Sequence, residues 1–203
     1  MKKHWIHFGL LFLLFISISG CSYLPSIVFL KDPLTAEEHN NLGVAYESEG
    51  KYDLALREYK KALDKDGSLV IPLVNIGNVY FKQKRYKDAE KYYLKALKKD
   101  EKNVEAANNL ASLYIALEEN YEKGLEYLTR AAPEESAPAY ALDTLGVLHL
   151  RLGDKEKAKD ILLKACEKAG DDKAVLEEIE VHLKEMGEGG CANKPGAEPS
   201  SKL

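Results

Sequence analysis

Several features that mark enzymes, metal proteins and disulfide-rich proteins are missing from this sequence. It has three cysteines and no Cys-x-x-Cys pair, no glycine-rich phosphate loop and no Gly-x-Ser-x-Gly turn around a nucleophilic serine. The five histidines lack the spacing of metal ligands. We therefore predict no catalytic residues, no bound metal and no cofactor, and a protein that is not an enzyme.

A large excess of charge of one sign is also missing. The formal net charge is −4 over 203 residues, and this mild acidic balance does not support a nucleic-acid partner. Charged residues make up 31% of the chain, while glycine and proline are sparse in its middle. This composition is typical of one soluble, mostly helical domain.

The N-terminal segment has the composition of a secretory signal. Two lysines precede an apolar run over residues 5–18, and small residues follow before Cys21. A charged start, a short apolar stretch and small residues at its end predict a signal peptide over residues 1–20. The competing interpretation is an uncleaved membrane helix, because the 20 residues from Trp5 are just long enough to span a bilayer. The short apolar core favours the signal peptide.

The tetrapeptide Ile18-Ser19-Gly20-Cys21 resembles the lipobox of bacterial lipoproteins, in which an aliphatic residue and two small ones precede a cysteine. The resemblance implies that Cys21 carries diacylglycerol and that acyl chains such as palmitate anchor a lipidated linker, residues 21–34. Two or three acyl chains, at ~0.8 kcal/mol per buried methylene, hold a soluble domain stably. The resemblance also implies a bacterial cell envelope. In a Gram-negative cell it implies the periplasmic face of the outer membrane, because aspartate does not follow the cysteine.

One six-residue pattern occurs four times. It reads NLGVAY from residue 41, NIGNVY from 75, NLASLY from 109 and TLGVLH from 144, so the steps are 34, 34 and 35 residues. A period near 34 residues is typical of proteins built from repeated helix pairs. The aligned blocks are 36–69, 70–103, 104–138 and 139–171, with a one-residue insertion near Glu119.

Small residues recur at fixed places in these blocks. Positions 8, 20 and 27 hold Gly43, Gly77, Ala111 and Gly146; Ala55, Ala89, Gly124 and Ala158; and Ala62, Ala96, Ala131 and Ala165. Each block also has two stretches with apolar residues at helical spacing. Small side chains let paired helices approach closely, and neighbouring pairs must stack to bury their apolar faces.

This arrangement resembles the tetratricopeptide repeat (TPR), whose pattern has small residues at positions 8, 20 and 27 and bulky ones between them. The resemblance implies an all-α, right-handed α-solenoid of about four helix hairpins over residues 35–170. His39 and Leu73 depart from the pattern, because an aromatic residue is usual at position 4. A C-terminal capping helix at residues 172–186 and a disordered tail at residues 187–203 complete the prediction.

Local signals set the predicted bounds of the first helices. Thr35 can cap a helix from Ala36, with Glu38 completing a capping box. Gly50 ends this helix, and Tyr52 begins the next.

In TPR proteins the first helix of each pair lines a concave wall, so the resemblance implies a peptide-binding groove there. The predicted peptide-binding residues are Asn41, Asn75, Asn78, Phe81, Asn109, Ser112, Ile115, Thr144 and Leu150. An asparagine amide offers a donor and an acceptor to the backbone of an extended peptide. The competing interpretation is that these asparagines only pack adjacent repeats. Lys82 and Arg151 alone are basic on this wall, which disfavours a clamp for a C-terminal carboxylate.

These features together predict a lipid-anchored adaptor that binds a protein or peptide partner in the cell envelope. The alternatives are a scaffold that associates into homo-oligomers and a pilotin-like assembly factor for a type IV pilus or secretion system. A disulfide between Cys166 and Cys191 fits an oxidising envelope, whereas burial of Cys166 weighs against it. The sequence leaves that pairing open.

Overall fold

The computed structural model of the protein describes residues 32–191. The predicted signal peptide, the predicted lipidation site Cys21 and residues 192–203 lie outside this range. Within it the chain forms nine α-helices and no β-strand, so the predicted all-α class is confirmed. The helices are α1 (Ala36–Ser48), α2 (Tyr52–Lys65), α3 (Ile71–Lys82), α4 (Tyr86–Lys99), α5 (Val104–Ala116), α6 (Tyr121–Ala131), α7 (Ala139–Arg151), α8 (Lys155–Ala169) and α9 (Lys173–Glu185). No helix in this described part is both long and apolar enough to cross a bilayer.

The first helix begins at the predicted cap. The Thr35 hydroxyl accepts a hydrogen bond from the backbone N–H of Glu38 at 3.2 Å, and the Glu38 carboxylate accepts one from the backbone N–H of Thr35 at 2.7 Å. Both bonds satisfy N–H groups that a helix start leaves without an intrahelical partner. The capping box therefore fixes where the solenoid begins.

The turn inside each helix pair has a recurring backbone conformation. Repeat position 15 is left-handed in all four pairs, with φ of 72° at Gly50, 59° at Lys84, 55° at Glu118 and 88° at Gly153. Glycine adopts this conformation readily, whereas lysine and glutamate adopt it at a cost. The third turn has one residue more, and Asn120 there is also left-handed with φ of 55°. The predicted insertion is thus accommodated in a turn, outside the helices.

The helices form two layers. Each first helix contacts the first helix of the next pair, from α1 with α3 through to α7 with α9. Among the described helices, the second helices α2, α4, α6 and α8 do not contact one another. Because the first helices approach more closely, they form the inner, concave wall. Helix α9 contacts α7 and α8 in the way that α3 contacts α1 and α2, and so caps the solenoid.

Side chains at repeat position 24 fill the space between the paired helices. Tyr59 and Tyr93 occupy it in the first two pairs and are almost fully buried. A Cβ atom on Gly43 would lie 2.5 Å from Cε1 of Tyr59, and one on Gly77 would meet the ring of Tyr93 in the same way. In these two pairs the glycine at position 8 is therefore required by the ring that packs on it, and in the fourth pair a Cβ atom on Gly146 would lie 2.7 Å from Cγ of Leu162.

The departure from the pattern at His39 has a polar explanation. His39 is fully buried, and its Nδ1 lies 2.8 Å from Oε2 of Glu58, which is also buried. Burial acts to raise the pKa of Glu58, but hydrogen bonds from His39, Lys61 and Arg57 outweigh it and hold that pKa below its usual value. A hydrogen-bonded pair of polar side chains thus takes the place of an aromatic contact in the first pair.

The C-terminal segment folds back onto the solenoid. Cys166 on α8 forms a disulfide with Cys191, and the Cα atoms are 5.6 Å apart. Both cysteines are buried, because the chain returns past α9 to the site of Cys166. The disordered tail predicted from Gly187 is therefore corrected, since residues 187–191 have a defined position that ends in a covalent bond.

Candidate partner-binding groove

The predicted binding residues all lie on the inner layer of helices. Helix α1 carries Asn41, α3 carries Asn75, Asn78 and Phe81, α5 carries Asn109, Ser112 and Ile115, and α7 carries Thr144 and Leu150. The repeat places one set of side chains per helix pair on this wall. The concave wall therefore carries every predicted binding residue.

A first cavity lies between α3 and α5. Its volume is about 310 Å³. It is lined by Asn78, Phe81, Lys82, Tyr93, Glu105, Asn109 and Ser112. Four of the predicted residues thus meet in one place, where amide and hydroxyl groups surround an aromatic ring.

A second cavity lies further along the same wall, between α5, α7 and α9. Its volume is about 270 Å³. It is lined by Asn108, Ser112, Ile115, Ala116, Tyr140, Asp143, Thr144, Val147, Glu178 and His182. Because Ser112 lines both cavities, the two adjoin and form one groove that crosses the second, third and fourth helix pairs.

Two of the wall asparagines bridge neighbouring repeats. The Asn75 amide donates to Oδ1 of Asn40 at 3.0 Å, and the Asn109 amide donates to Oδ1 of Asn78 at 2.8 Å. Each amide therefore uses one of its N–H groups inside the protein, as the packing interpretation requires. The Oδ1 atoms of Asn75 and Asn109 accept no hydrogen bond from residues 32–191. What these side chains offer a partner is thus mainly an acceptor.

The buried side chain of Tyr93 orients a polar residue of the first cavity. The Tyr93 hydroxyl donates to Oδ1 of Asn78 at 2.9 Å, so this oxygen receives two hydrogen bonds. Burial raises the pKa of Tyr93 above its usual value, and the nearby carboxylates of Glu47 and Glu105 act in the same direction. The phenol therefore stays protonated and remains a donor, which fixes Asn78 in one orientation.

Comparison with family models identifies the repeats. A tetratricopeptide repeat model matches residues 36–68 and 71–103, and a second tetratricopeptide repeat model matches residues 139–169. The chain contains tetratricopeptide repeats. The matched TPR segments coincide with the first, second and fourth helix pairs, and they leave out the block with the insertion. Among curated proteins, no match to the sequence is found.

Solved TPR structures share this fold. PilF from Pseudomonas aeruginosa superposes with a TM-score of 0.64 at 23% identity, over 74% of this chain and 68% of that one. MamA from Desulfovibrio magneticus gives a TM-score of 0.58 at 19% identity, over 75% and 85% of the two chains. A thermophilic TPR protein from Thermus thermophilus gives 0.59 at 20% identity, over 75% and 83%. At these identities the likeness establishes the fold.

The basic residues of the TPR wall already have carboxylate partners. Lys82 forms an ion pair with Glu47 at 2.7 Å, and Arg151 forms one with Glu185 at 3.3 Å. Neither is therefore available as an unpaired cation for a C-terminal carboxylate. Within residues 32–191, Glu105 of the first cavity is in no ion pair. The wall thus favours groups that donate hydrogen bonds over anions.

The other predicted residues have distinct surroundings. Asn41 is exposed, and Leu150 is half-buried outside both cavities. Phe81 packs against Tyr86 with ring centroids 5.6 Å apart. The Thr144 hydroxyl donates to a backbone carbonyl of its own helix at 3.1 Å, so it offers a partner mainly an acceptor.

The groove also contains residues that the prediction did not include. Oδ1 of Asn108 is buried in the second cavity and has no hydrogen-bond partner among residues 32–191. Asn108 and Tyr140 occupy repeat positions that line the wall, so the alignment of the repeats could have predicted both residues. His182 reaches the cavity from the capping helix, where its Nδ1 lies 2.8 Å from Oδ1 of Asp143, and no sequence pattern indicates that contact.

Proposed function

We propose that this protein is a lipid-anchored TPR adaptor of the bacterial cell envelope, which binds an extended segment of a partner protein in its concave groove. The observation that carries the proposal is the pair of adjoining cavities with unsatisfied acceptors along one wall. An unpaired acceptor favours a ligand that supplies N–H groups. The backbone of an extended peptide supplies them at regular intervals.

The groove also supplies apolar contacts for such a segment. Phe81 lines the first cavity and Ile115 the second, and both are partly buried against the core. A peptide whose N–H groups reach the oxygens of Asn75 and Asn109 would place alternate side chains toward these residues. Backbone bonds would give affinity with little dependence on sequence, and the apolar contacts would select among partners.

The envelope location is supported by residues 18–21, which resemble the lipobox. The buried disulfide between Cys166 and Cys191 is consistent with an oxidising compartment. Lipid on Cys21 would keep the TPR domain within reach of a membrane while leaving the groove open to a partner.

A self-associating scaffold is the less favoured alternative. Stacking of solenoids end to end needs apolar end surfaces, but the capping helix exposes Glu177, Lys184 and Glu185 and, of large apolar side chains, Val181 alone. A polar outer face is what keeps the end of a repeat array soluble. A pilotin-like assembly factor is a narrower form of the adaptor, and the fold likeness to PilF is compatible with it.

The test is photocrosslinking in cells with the full chain. A crosslinking amino acid at Ile115, in the groove, is compared with one at Glu126, which is exposed on the outer helix α6. We expect partner adducts from position 115 and none from position 126. The Asn75→Ala, Asn109→Ala double variant should abolish the adducts by removing both acceptors.

The matched control is Asn40→Ala, because it removes the bridge to Asn75 and leaves the Asn75 oxygen in place. It should keep the adducts. Unchanged adducts in the double variant would reject the groove mechanism. The same cells, fed an alkyne analogue of palmitate, test the anchor: label on Cys21→Ser equal to that on the unsubstituted chain would reject it.

A further inference from the structure

The outer helix of the second pair carries a continuous row of positive charge. Lys87, Lys91, Lys95 and Lys98 follow one another at intervals of four, four and three residues on α4, and all four are exposed. Residues at this spacing lie on one face of a helix. The four ammonium groups, here called the lysine stripe, extend over about 17 Å of helix.

The acidic residues of the same helix balance the stripe only in part, because one carboxylate, Glu90, lines a cavity with all four of its lysines. Asp88 forms an ion pair with Arg85 at 2.7 Å. Glu90 accepts a hydrogen bond from the Tyr114 hydroxyl at 2.7 Å, toward the neighbouring α5. Asp88 is thus engaged by Arg85, whereas Glu90 keeps its negative charge and leaves the four lysines with one carboxylate among them.

No member of the stripe has a carboxylate within ion-pair distance among residues 32–191. Lys95 lies over the ring of Tyr92 with its Nζ 4.7 Å from the centroid, which keeps the ammonium group at the surface. The stripe is therefore a row of cations in which no lysine forms an ion pair within the described part of the chain.

The repeat itself does not require lysine at these places. The corresponding repeat positions, 18, 22, 26 and 29, hold Asp53, Arg57, Lys61 and Asp64 in the first pair, Glu122, Glu126, Arg130 and Pro133 in the third, and Glu156, Asp160, Lys164 and Glu167 in the fourth. Like charges four residues apart destabilise a helix, and the chain as a whole has a net charge of −4. Neither helix stability nor average composition accounts for the stripe.

We propose that the lysine stripe docks the protein on an anionic phospholipid surface. A straight row of exposed ammonium groups suits a flat array of phosphates. Lys99 and Arg130 extend this surface around an adjacent cavity of about 700 Å³, which Glu101 also lines, and Arg130 is paired with Glu126. Leu94 and Tyr127 add apolar contact there. Amphipathic surfaces of this kind favour the boundary between headgroups and acyl chains.

The choice of a lipid surface over another polyanion rests on the proposed anchor. The linker of residues 22–34 would span at most about 45 Å when fully extended. An anchored domain therefore samples the bilayer at high effective concentration, and weak electrostatic contacts suffice to orient it. Because α4 belongs to the outer layer, docking through the stripe would leave the concave groove directed away from the membrane.

The test measures the accessibility of each lysine in the full chain reconstituted into vesicles. The vesicles contain phosphatidylcholine alone or mixed with phosphatidylglycerol, at about 0.1 M and about 1 M salt, where the Debye lengths are about 10 Å and 3 Å. A membrane-impermeant acylating reagent modifies exposed lysines, and mass spectrometry reads each site. Chains that float with the vesicles are selected first on both lipids, so that only orientation is compared and loss of the proposed anchor is detected separately.

We expect modification of the stripe to fall at least about fivefold in the anionic vesicles at low salt, the change that one lysine at an anionic surface supplies. It should recover at high salt. Lys155 and Lys173, exposed on α8 and α9, should be modified equally in all vesicles. Equal modification of the stripe in both lipids would overturn the proposal and would leave a soluble polyanion, such as an acidic protein segment, as the occupant.

Two triple variants distinguish an effect of the lysine stripe from an effect of the net charge of the chain. Lys87→Glu, Lys91→Glu, Lys95→Glu should remove the lipid-dependent protection of Lys98. The matched control Lys155→Glu, Lys168→Glu, Lys173→Glu changes the net charge equally and should retain it, and loss of protection in both would also overturn the proposal. The Asn75→Ala, Asn109→Ala variant should keep the protection, so failure of the groove mechanism and failure of membrane docking are distinguishable.

Discussion

The two halves of the solenoid are held together by different means. In the first half, asparagine amides bridge the joints between repeats, from Asn75 to Asn40 and from Asn109 to Asn78. In the last pair, a covalent bond and the contact between His182 and Asp143 hold the capping helix. Hydrogen bonds between side chains thus join the first three helix pairs, while a disulfide and a polar contact hold the C-terminal end.

The side chain at repeat position 24 explains part of this difference. Tyr59 and Tyr93 reach the concave wall with their hydroxyl groups, which donate to Glu47 and Asn78. Leucine takes this position in the third and fourth pairs, and there the amide oxygen of Asn108 has no partner in the described range. The groove is therefore pre-organised around α3, whereas its far end has a buried polar atom that the described residues do not satisfy.

The largest expected effect comes from breaking the cross-link. Cys191→Ser should lower the free energy of unfolding by about 3.5 kcal/mol, because a disulfide across a loop of this length restricts the unfolded chain. The loop is set by a separation of 25 residues. Urea unfolding followed by circular dichroism measures the change. Addition of a reductant should reduce the stability of the unsubstituted chain to the same level and leave the variant unaffected, and a reductant-insensitive midpoint would contradict this account.

A smaller effect is expected from giving the second helix pair the residues that the third pair has at repeat positions 8 and 24. Gly77→Ala should destabilise by about 2 kcal/mol, because the new Cβ meets the ring of Tyr93. In the third pair an alanine, Ala111, is accommodated where position 24 is Leu128. Adding Tyr93→Leu to Gly77→Ala should therefore recover part of the loss, measured again by urea unfolding. Equal stability of the single and double variants would show that the ring is not what excludes the alanine.

The smallest effect is expected from the polar contact at the cap. The hydrogen bond with Asp143 raises the pKa of His182 above its ordinary value of 6.5, although burial acts against it. Since the folded pKa exceeds the unfolded one, the contribution is complete below about pH 6.5 and is lost as the pH rises through the folded value. We expect a loss of about 0.5 kcal/mol at alkaline pH. His182→Gln should remove this pH dependence, and an identical pH profile of the two urea midpoints would contradict the assignment.

Sequence patterns predict the repeat scaffold well because its determinants are local and recur. The cap at Thr35 and the start of α2 at Tyr52 lie where helix signals place them. The placement of the binding residues on one wall follows from the period of the repeat. The bonds of Asn75 and Asn109 do not follow from it, because they depend on how each repeat rotates on the next.

Contacts over long separations were the least predictable. His182 and Asp143 are 39 residues apart, and His39 and Glu58 are 19 apart. Such pairs depend on which side chains the stacking brings within a few ångströms, which composition and periodicity do not specify. The disulfide belongs to the same class, since the position of Cys191 is set by the path of the chain after α9.

The amide bridges have a mechanical consequence. Asn75 and Asn109 join successive repeats on the concave wall, and Asn109 also lines the groove, so a segment bound to their oxygens would lie across the same joints. Occupancy would then stiffen the superhelix against uncoiling. Conversely, a force that extends the superhelix would separate the two oxygens and weaken binding. Tension along the molecule would therefore favour release of the bound segment.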